Sequence, residues 1–297
     1  MERADHDDRV QQLEQIARRG RWLVISTVSR AGAGHVGGPL SAMDLLVALY
    51  FHALNIDPDR PSKPDRDRFI LSKGHSAMGL YAVLAMRGYF PEAELSTFDK
   101  VDSRLQGHPD MRLLPGLDMS TGSLGQGLSV GVGMAMAARR RGERRTTWVL
   151  LGDGELQEGM VWEAVHTAPR YGLGNLVAIV DRNGLQQFGW DPTDGDRGDR
   201  RDPWRGVDLA EAFRSFGWRV LTVDGHDMAA VLAIYGLATR GPADLPTVIL
   251  ANTTKGKGVS FAENTIKWHT GIATEEELSI AAVELGIEMG AREEATT

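Results

Sequence analysis

Hydrophobic positions along the chain follow two rhythms. Between residues 8 and 30, Val10, Leu13, Ile16, Ala17, Leu23, Val24 and Val28 recur among charges near helical spacing, with Gly20 weakening the middle, which predicts one or two helices. A glycine-rich turn from Ala31 to Pro39 then opens a helix over about Leu40 to Leu54, Pro39 being suited to a first helical turn. Lys73-Gly74-His75 leads into another helix ending near Gly88, whereas residues 99–119 hold no period and predict an ordered loop. From Gly125 a run rich in glycine, alanine and methionine predicts a helix that packs at close range. The second rhythm consists of short, nearly continuous apolar runs: Asp67 to Ser72, Thr147 to Leu151, Leu176 to Val180, Trp218 to Val223 and Thr247 to Ala251. Helix-length segments around 155–168, 208–216 and 227–239 separate the later runs. Apolar strands alternating with helices predict an α/β fold with about five parallel strands covered by helices on both faces.

Composition narrows the classes. With 33 basic and 40 acidic side chains the net charge is −7, and no basic stripe suggests nucleic acid as a partner. Cysteine is absent, which excludes disulfides, thiolate metal sites and a cysteine nucleophile and suits the cytoplasm. The acidic start MERADHDDRV lacks the features of a signal peptide, and no apolar run reaches the length of a membrane span. The segment from Trp190 to Arg205 mixes aspartates and arginines around Pro192, Gly195, Gly198 and Pro203; it reads as a polar surface loop, and its aspartates miss the register of a calcium loop.

Two turns carry the candidate chemistry. The run Leu150 to Gly159 contains Gly152-Asp153-Gly154, and thirty positions after Asp153 comes Asn183-Gly184-Leu185. In a parallel sheet, ligands bind beyond the carboxyl ends of strands, and one strand–helix–strand unit accounts for that spacing. Neighbouring parallel strands lie about 4.8 Å apart, so Asp153 and Asn183 can reach one ion. Magnesium takes about six hard oxygen ligands: the Asp153 carboxylate, the Asn183 amide oxygen, the Leu185 carbonyl, two diphosphate oxygens and a water complete such a set. Gly152, Gly154 and Gly184 let the backbone approach a phosphate, and a following helix start favours an anion. Either dipeptide alone is an ordinary turn; the pair on two strand ends points to a clamp for a diphosphate and one metal.

These motifs resemble the thiamine diphosphate fingerprint, and the flanking stretches resemble transketolase in particular. Gly34 to Pro39, Leu71 to His75, Gly107-His108-Pro109, Thr121 to Gly127, Gly154 to Gly159, Asp224 to Asp227 and Lys255 to Gly258 with His269 follow that family's order, over about residues 10–275. The resemblance implies thiamine diphosphate with Mg2+, Ca2+ or Mn2+ being alternatives, and metal ligands Asp153, Asn183 and Leu185. It implies cofactor contacts from His75, Gly122, Ser123, Leu124, Gly152, Gly154, Glu155, Asn183 and His269, with Leu124 packing on the cofactor. His35, His108 and His269 are implied to act on the sugar, which suits a side chain that donates or accepts near neutral pH. Glu158 and Glu163 are implied to join carboxylates that link active sites across a subunit contact. His52 and His166, within helices, read as structural or surface residues.

The similarity covers only the diphosphate-binding part of a long transketolase, so residues 1–297 read as one domain with the pyrimidine-binding and C-terminal domains on a separate subunit. The expectation is therefore the N-terminal subunit of a split transketolase, an α2β2 heterotetramer with its partner, moving a two-carbon ketol unit from a ketose, phosphorylated by expectation, to an aldose. Related ketol or acyl transfer, or a cofactor-binding module without turnover, are the alternatives. Two departures stand out: Ser123 where long transketolases have proline, as in split bacterial forms, and Arg182 before the metal asparagine, where it could adjust charge near the diphosphate.

Overall fold

The computed structural model describes residues 2–187, 204 and 206–288. Five parallel strands form one sheet in the order β1-β2-β3-β5-β4: β1 Arg68–Leu71, β2 Thr147–Gly152, β3 Leu176–Arg182, β4 Arg219–Asp224 and β5 Thr247–Asn252. All five apolar runs became strands. Every residue of β2 is buried, as are all but the last of β3 and of β5, because helices cover both faces; the edge strand β4 is mostly half-exposed. Burying each such valine, leucine or isoleucine side chain contributes about 1.5–3 kcal/mol, which makes the sheet a stiff platform for the loops at its carboxyl edge.

The N-terminal periodic stretch is one helix, α1 (Glu2–Ala31), unbroken at Gly20. A β-carbon there would lie 2.5 Å from the Met43 sulfur, so the glycine is a packing requirement and not a helix boundary. The expected helix from Leu40 starts earlier and is divided into α2 (Gly37–Ser41), α3 (Met43–Ala48) and a π-turn over Leu49–Ala53. Then follow α4 (Ala77–Arg87), α5 (Gln126–Arg140), α6 (Gly159–Arg170), α7 (Leu209–Ser215) and α8 (Met228–Thr239). A last helix, α9 (Glu275–Leu285), opened by a Thr274–Glu277 capping box, lies beyond the stretch the sequence pattern resolved. Close packing of α5 is confirmed at Gly127 and Gly131, where a β-carbon would meet Ser72 Oγ at 2.4 Å and Val149 Cγ2 at 2.6 Å.

The loop over residues 99–119 is ordered by internal bonds and by its end. Asp118 takes two hydrogen bonds from Arg66, at 2.7 and 2.9 Å, and one from the Phe69 amide at 2.9 Å, which pins the loop to β1. Of the aspartate and arginine loop over 190–205, only Trp204 lies within the described residues; its indole N–H donates to the Asp153 carbonyl at 2.7 Å. Among the described residues, no helix is long and apolar enough to cross a membrane.

Candidate functional site

Four of the five strands each deliver one part of the site at the carboxyl end. His75 follows β1, Asp153 follows β2, Asn183 follows β3 and Lys255 follows β5. The register pairs Gly152 with Asp181, so the two motif turns are immediate neighbours, as the strand–helix–strand reading requires. Asp153 bridges them: its carboxylate accepts from the Gly154 amide at 2.8 Å and from the Gly184 amide at 2.7 Å. Gly184 sits at φ +73°, a conformation that favours glycine, and so turns its N–H toward that carboxylate. Above these turns opens a cleft of about 440 Å³ lined by Asp153, Asn183, Leu185, Gly152, Gly154, Gly122, Leu124 and all four of His35, His75, His108 and His269.

The four histidines, far apart in sequence, form one cluster. The ring of His35 lies 5.2 Å from that of His75, 6.1 Å from His108 and 5.1 Å from His269, and His75 is 5.2 Å from His269. Their loops are tied together by the bond from the Val36 amide to the His269 carbonyl, 3.3 Å. Burial, then neighbouring His108 and Lys255, push His35 down to about 4. Burial and then Lys255 push His269 down to about 3, and burial and then Lys73 hold His75 well below its ordinary value. These three rings are neutral near pH 7, each with one N–H donor and one acceptor nitrogen. His108, at the exposed rim, packs against Gly122.

A metal ion fits the donor set. Asp153 is buried, and its carboxylate has only backbone N–H partners among the described residues; burial, then Asp181, raise it to about 6. A buried carboxylate without a cation on it is electrostatically incomplete, and the Asn183 and Leu185 oxygens beside it are hard ligands. Among the described residues no cluster of three or more histidine, cysteine, aspartate or glutamate side chains is poised for a metal.

The other predicted residues are placed as follows. Glu155 is buried, and its carboxylate is taken up by Ser72 Oγ at 2.5 Å and the amides of Gly125 and Gly152 at 2.9 and 3.0 Å. It buttresses the turn from the wall of the cleft, which it helps to line. Ser123 is exposed beside the lining residue Leu124. Glu158, the residue preceding α6, and Glu163, on it, are exposed on the outer surface and do not line the cleft. Arg182 borders a second hollow with Trp204 and Leu209 and does not line the cleft. His52 and His166 are exposed and outside the cleft, as expected.

Sequence reasoning assigned nothing to the two lysines of the cleft. Lys73 is buried in an ion pair with Asp181, which also accepts from Ser41 Oγ at 2.6 Å and from Thr253 Oγ1. Lys255, equally buried, reaches His269 Nδ1 at 2.9 Å and the Leu185 carbonyl at 3.4 Å. Both lysines lie in the quoted motifs just past strand ends, which was the available signal.

A parallel sheet whose strand ends carry an aspartate, an asparagine and a histidine wall defines the class of thiamine diphosphate-binding α/β domains. The family model for "Transketolase, thiamine diphosphate binding domain" matches residues 12–293, and the chain belongs to the transketolase family. It is 41% identical over 265 residues to a 6-deoxy-6-sulfo-D-fructose transketolase subunit of Clostridium sp. (strain MSTE9), covering 89% of this chain and 93% of that protein. It is 40% identical to an apulose-4-phosphate transketolase subunit of Phocaeicola vulgatus, covering 93% and 94%. Human transketolase is 38% identical over 88% of this chain, but only 40% of that protein is covered. The Campylobacter jejuni transketolase crystal structure superposes with a TM-score of 0.83 at 30% identity, over 94% of this chain and 43% of that one. The chain thus matches the length of proteins called transketolase subunits and about two fifths of full-length transketolases.

Proposed function

We propose that this chain is the thiamine diphosphate-binding subunit of a two-chain transketolase, which moves a two-carbon ketol unit from a ketose to an aldose. The observation that carries this reading is the meeting, in one cleft, of the incomplete Asp153 oxygen site and the four-histidine wall. Asp153, Asn183 and the Leu185 carbonyl hold Mg2+; Gly154, His75 and His269 hold the diphosphate end; Gly122 and Leu124 underlie the cofactor. Bound thiamine diphosphate supplies the carbon nucleophile and the electron sink that no side chain offers. The chain's own work is orientation and proton handling. The neutral rings of His35 and His269 donate to a sugar carbonyl, that of His35 also accepting from a hydroxyl, and His108 at the rim completes the contact with the sugar.

The partner is a C-terminal transketolase subunit carrying the pyrimidine half of the site, with exposed Glu158 and Glu163 at the contact and α2β2 as the assembly. The relatives' names pair transketolase with a sulfonated and with a phosphorylated sugar, which supports a ketose donor with an anionic end group, bound by the partner. A cytoplasmic location accords with the cysteine-free sequence. The test is reconstitution with the chain that co-purifies from the native source, followed by two-carbon exchange between ketose phosphates and aldoses. Exchange by the pair and none by either chain is expected, and Asp153→Ala should abolish metal-dependent cofactor binding in calorimetry. An active lone homodimer would overturn the two-chain reading; cofactor affinity unchanged in both Asp153→Ala and Asn183→Ala would overturn the metal assignment.

A further inference from the structure

The Lys255-Gly256-Lys257-Gly258 motif has a structure more specific than a flexible cationic side chain needs. The stem of Lys255 lies in a tight channel: a β-carbon on Gly37 would stand 2.9 Å from both Lys255 Cγ and the Trp268 carbonyl. The Gly256 amide bonds to the Gly37 carbonyl at 3.0 Å, fixing the backbone beside it. Gly256 itself, at φ +79°, would drive a β-carbon to 2.2 Å from the Ala262 carbonyl oxygen, so the turn admits no larger residue. The amine is therefore delivered to one place, 2.9 Å from Nδ1 of His269.

A lysine ammonium has donors and no acceptor. The nitrogen it meets must then accept, which leaves the single proton of a neutral imidazole on the other nitrogen. Burial together with the Lys255 charge keeps His269 neutral near pH 7. We propose that Lys255 is a positioning residue of the cleft, fixing His269 as its Nε2–H tautomer so that His269 presents a hydrogen-bond donor, and not a base, to the bound ligand. The same amine lies 3.4 Å from the Leu185 carbonyl, so one side chain joins the histidine wall to the oxygen site. The use made of that donor rests on the function proposed above, but the tautomer itself does not.

Long-range 1H–15N correlation spectra of the full chain, labelled with 15N-histidine, read the tautomer directly, the His269 signals being identified by their loss in His269→Gln. The expected result is an Nε2–H pattern in the unmodified chain. Lys255→Met should shift His269 toward Nδ1–H or a mixture while the His226 signals stay in place, and Lys255→Arg should restore the original pattern. In the reconstituted enzyme, Lys255→Met should lower kcat at least tenfold with a smaller change in donor KM. An Nδ1–H pattern in the unmodified chain overturns the proposal without any variant having to fold. So does an Nε2–H pattern that persists in Lys255→Met. Neither result touches the transketolase reading, which the exchange assay tests separately.

Discussion

The Lys73 ammonium and the Asp181 carboxylate form a fully buried ion pair directly beneath the cleft, linking the turn after β1 to the end of β3. Taking both charges out of water is costly, and the pair is sustained by Ser41 and Thr253 on the same carboxylate. Coulomb attraction and these hydrogen bonds hold Asp181 below its ordinary value despite burial. Removing one partner strands the other. Lys73→Met is expected to cost about 3–5 kcal/mol in urea unfolding, whereas Lys73→Met with Asp181→Leu should recover most of that loss. A double-variant loss equal to the sum of the losses in Lys73→Met and Asp181→Leu would show that the charges are not coupled.

The histidine wall sets a pH dependence. His35, His75 and His269 are all held below the ordinary value near 6.5. The unfolded chain therefore binds protons at these sites before the folded chain does. Their stabilising contribution is complete above about pH 6.5 and is lost as pH falls toward the folded values of about 4 for His35 and about 3 for His269. Asp153, raised to about 6, acts in the opposite sense: its contribution is present below its unfolded value and is lost as pH rises through about 6. Three groups outweigh one, and after discounting the solvent-screened rings the net is on the order of 1–3 kcal/mol. The urea midpoint of the metal-free chain should fall between pH 7 and pH 5. His269→Gln should flatten that slope, and a midpoint that rises on acidification would contradict the assignment.

The sheet and the meeting of the two motif turns were legible because their signals are local. A buried parallel strand has to be continuously apolar, and a turn with Asp153 or Asn183 at its end announces itself within a few residues. What was not legible depended on distance in sequence. That Gly20 belongs inside a helix follows from Met43, and that Glu155 is a buttress follows from Ser72 and Gly125. Lys73 and Lys255 stood in recognised motifs, but their roles depend on Asp181 and His269, which only the fold brings to them.

His226 is the corresponding case outside the cleft. Its Nε2 accepts from the Thr254 amide at 2.8 Å, which leaves the neutral ring's proton on Nδ1, 2.7 Å from Asp44 Oδ2. Asp44 is in turn paired with buried Arg21, at 3.1 and 2.5 Å. The ring thus joins the turn after β4 to α3, and fixes the residue immediately before Lys255. His226→Ala leaves a backbone donor and a carboxylate acceptor without this partner, and is expected to cost about 1–3 kcal/mol. Amide exchange at Thr254 and Lys255 should accelerate by more than exchange in β2. Unchanged protection at these two amides would remove His226 as the anchor of the lysine loop.

Two glycine-to-alanine substitutions separate the glycines that shape the cleft from those that do not. A β-carbon on Gly74 would stand 2.6 Å from the Gly122 amide nitrogen and 2.8 Å from the Thr121 carbonyl carbon, both backbone atoms that cannot rotate away. Gly74→Ala must push the Gly122 loop outward, and His108 with it, because that ring packs against Gly122. The expected cost is about 1–3 kcal/mol, together with weaker thiamine diphosphate binding. Gly133, exposed in the middle of α5, has nothing within 4 Å of its would-be β-carbon. There alanine only restricts the unfolded chain and suits the helix, so Gly133→Ala should stabilise the isolated chain by about 0.5–1 kcal/mol. Thermal unfolding of both variants, with and without Mg2+ and thiamine diphosphate, checks the pair. Ligand-induced stabilisation should shrink in Gly74→Ala and persist in Gly133→Ala, and a Gly74→Ala chain that keeps the full ligand response would show that the cleft does not depend on this contact.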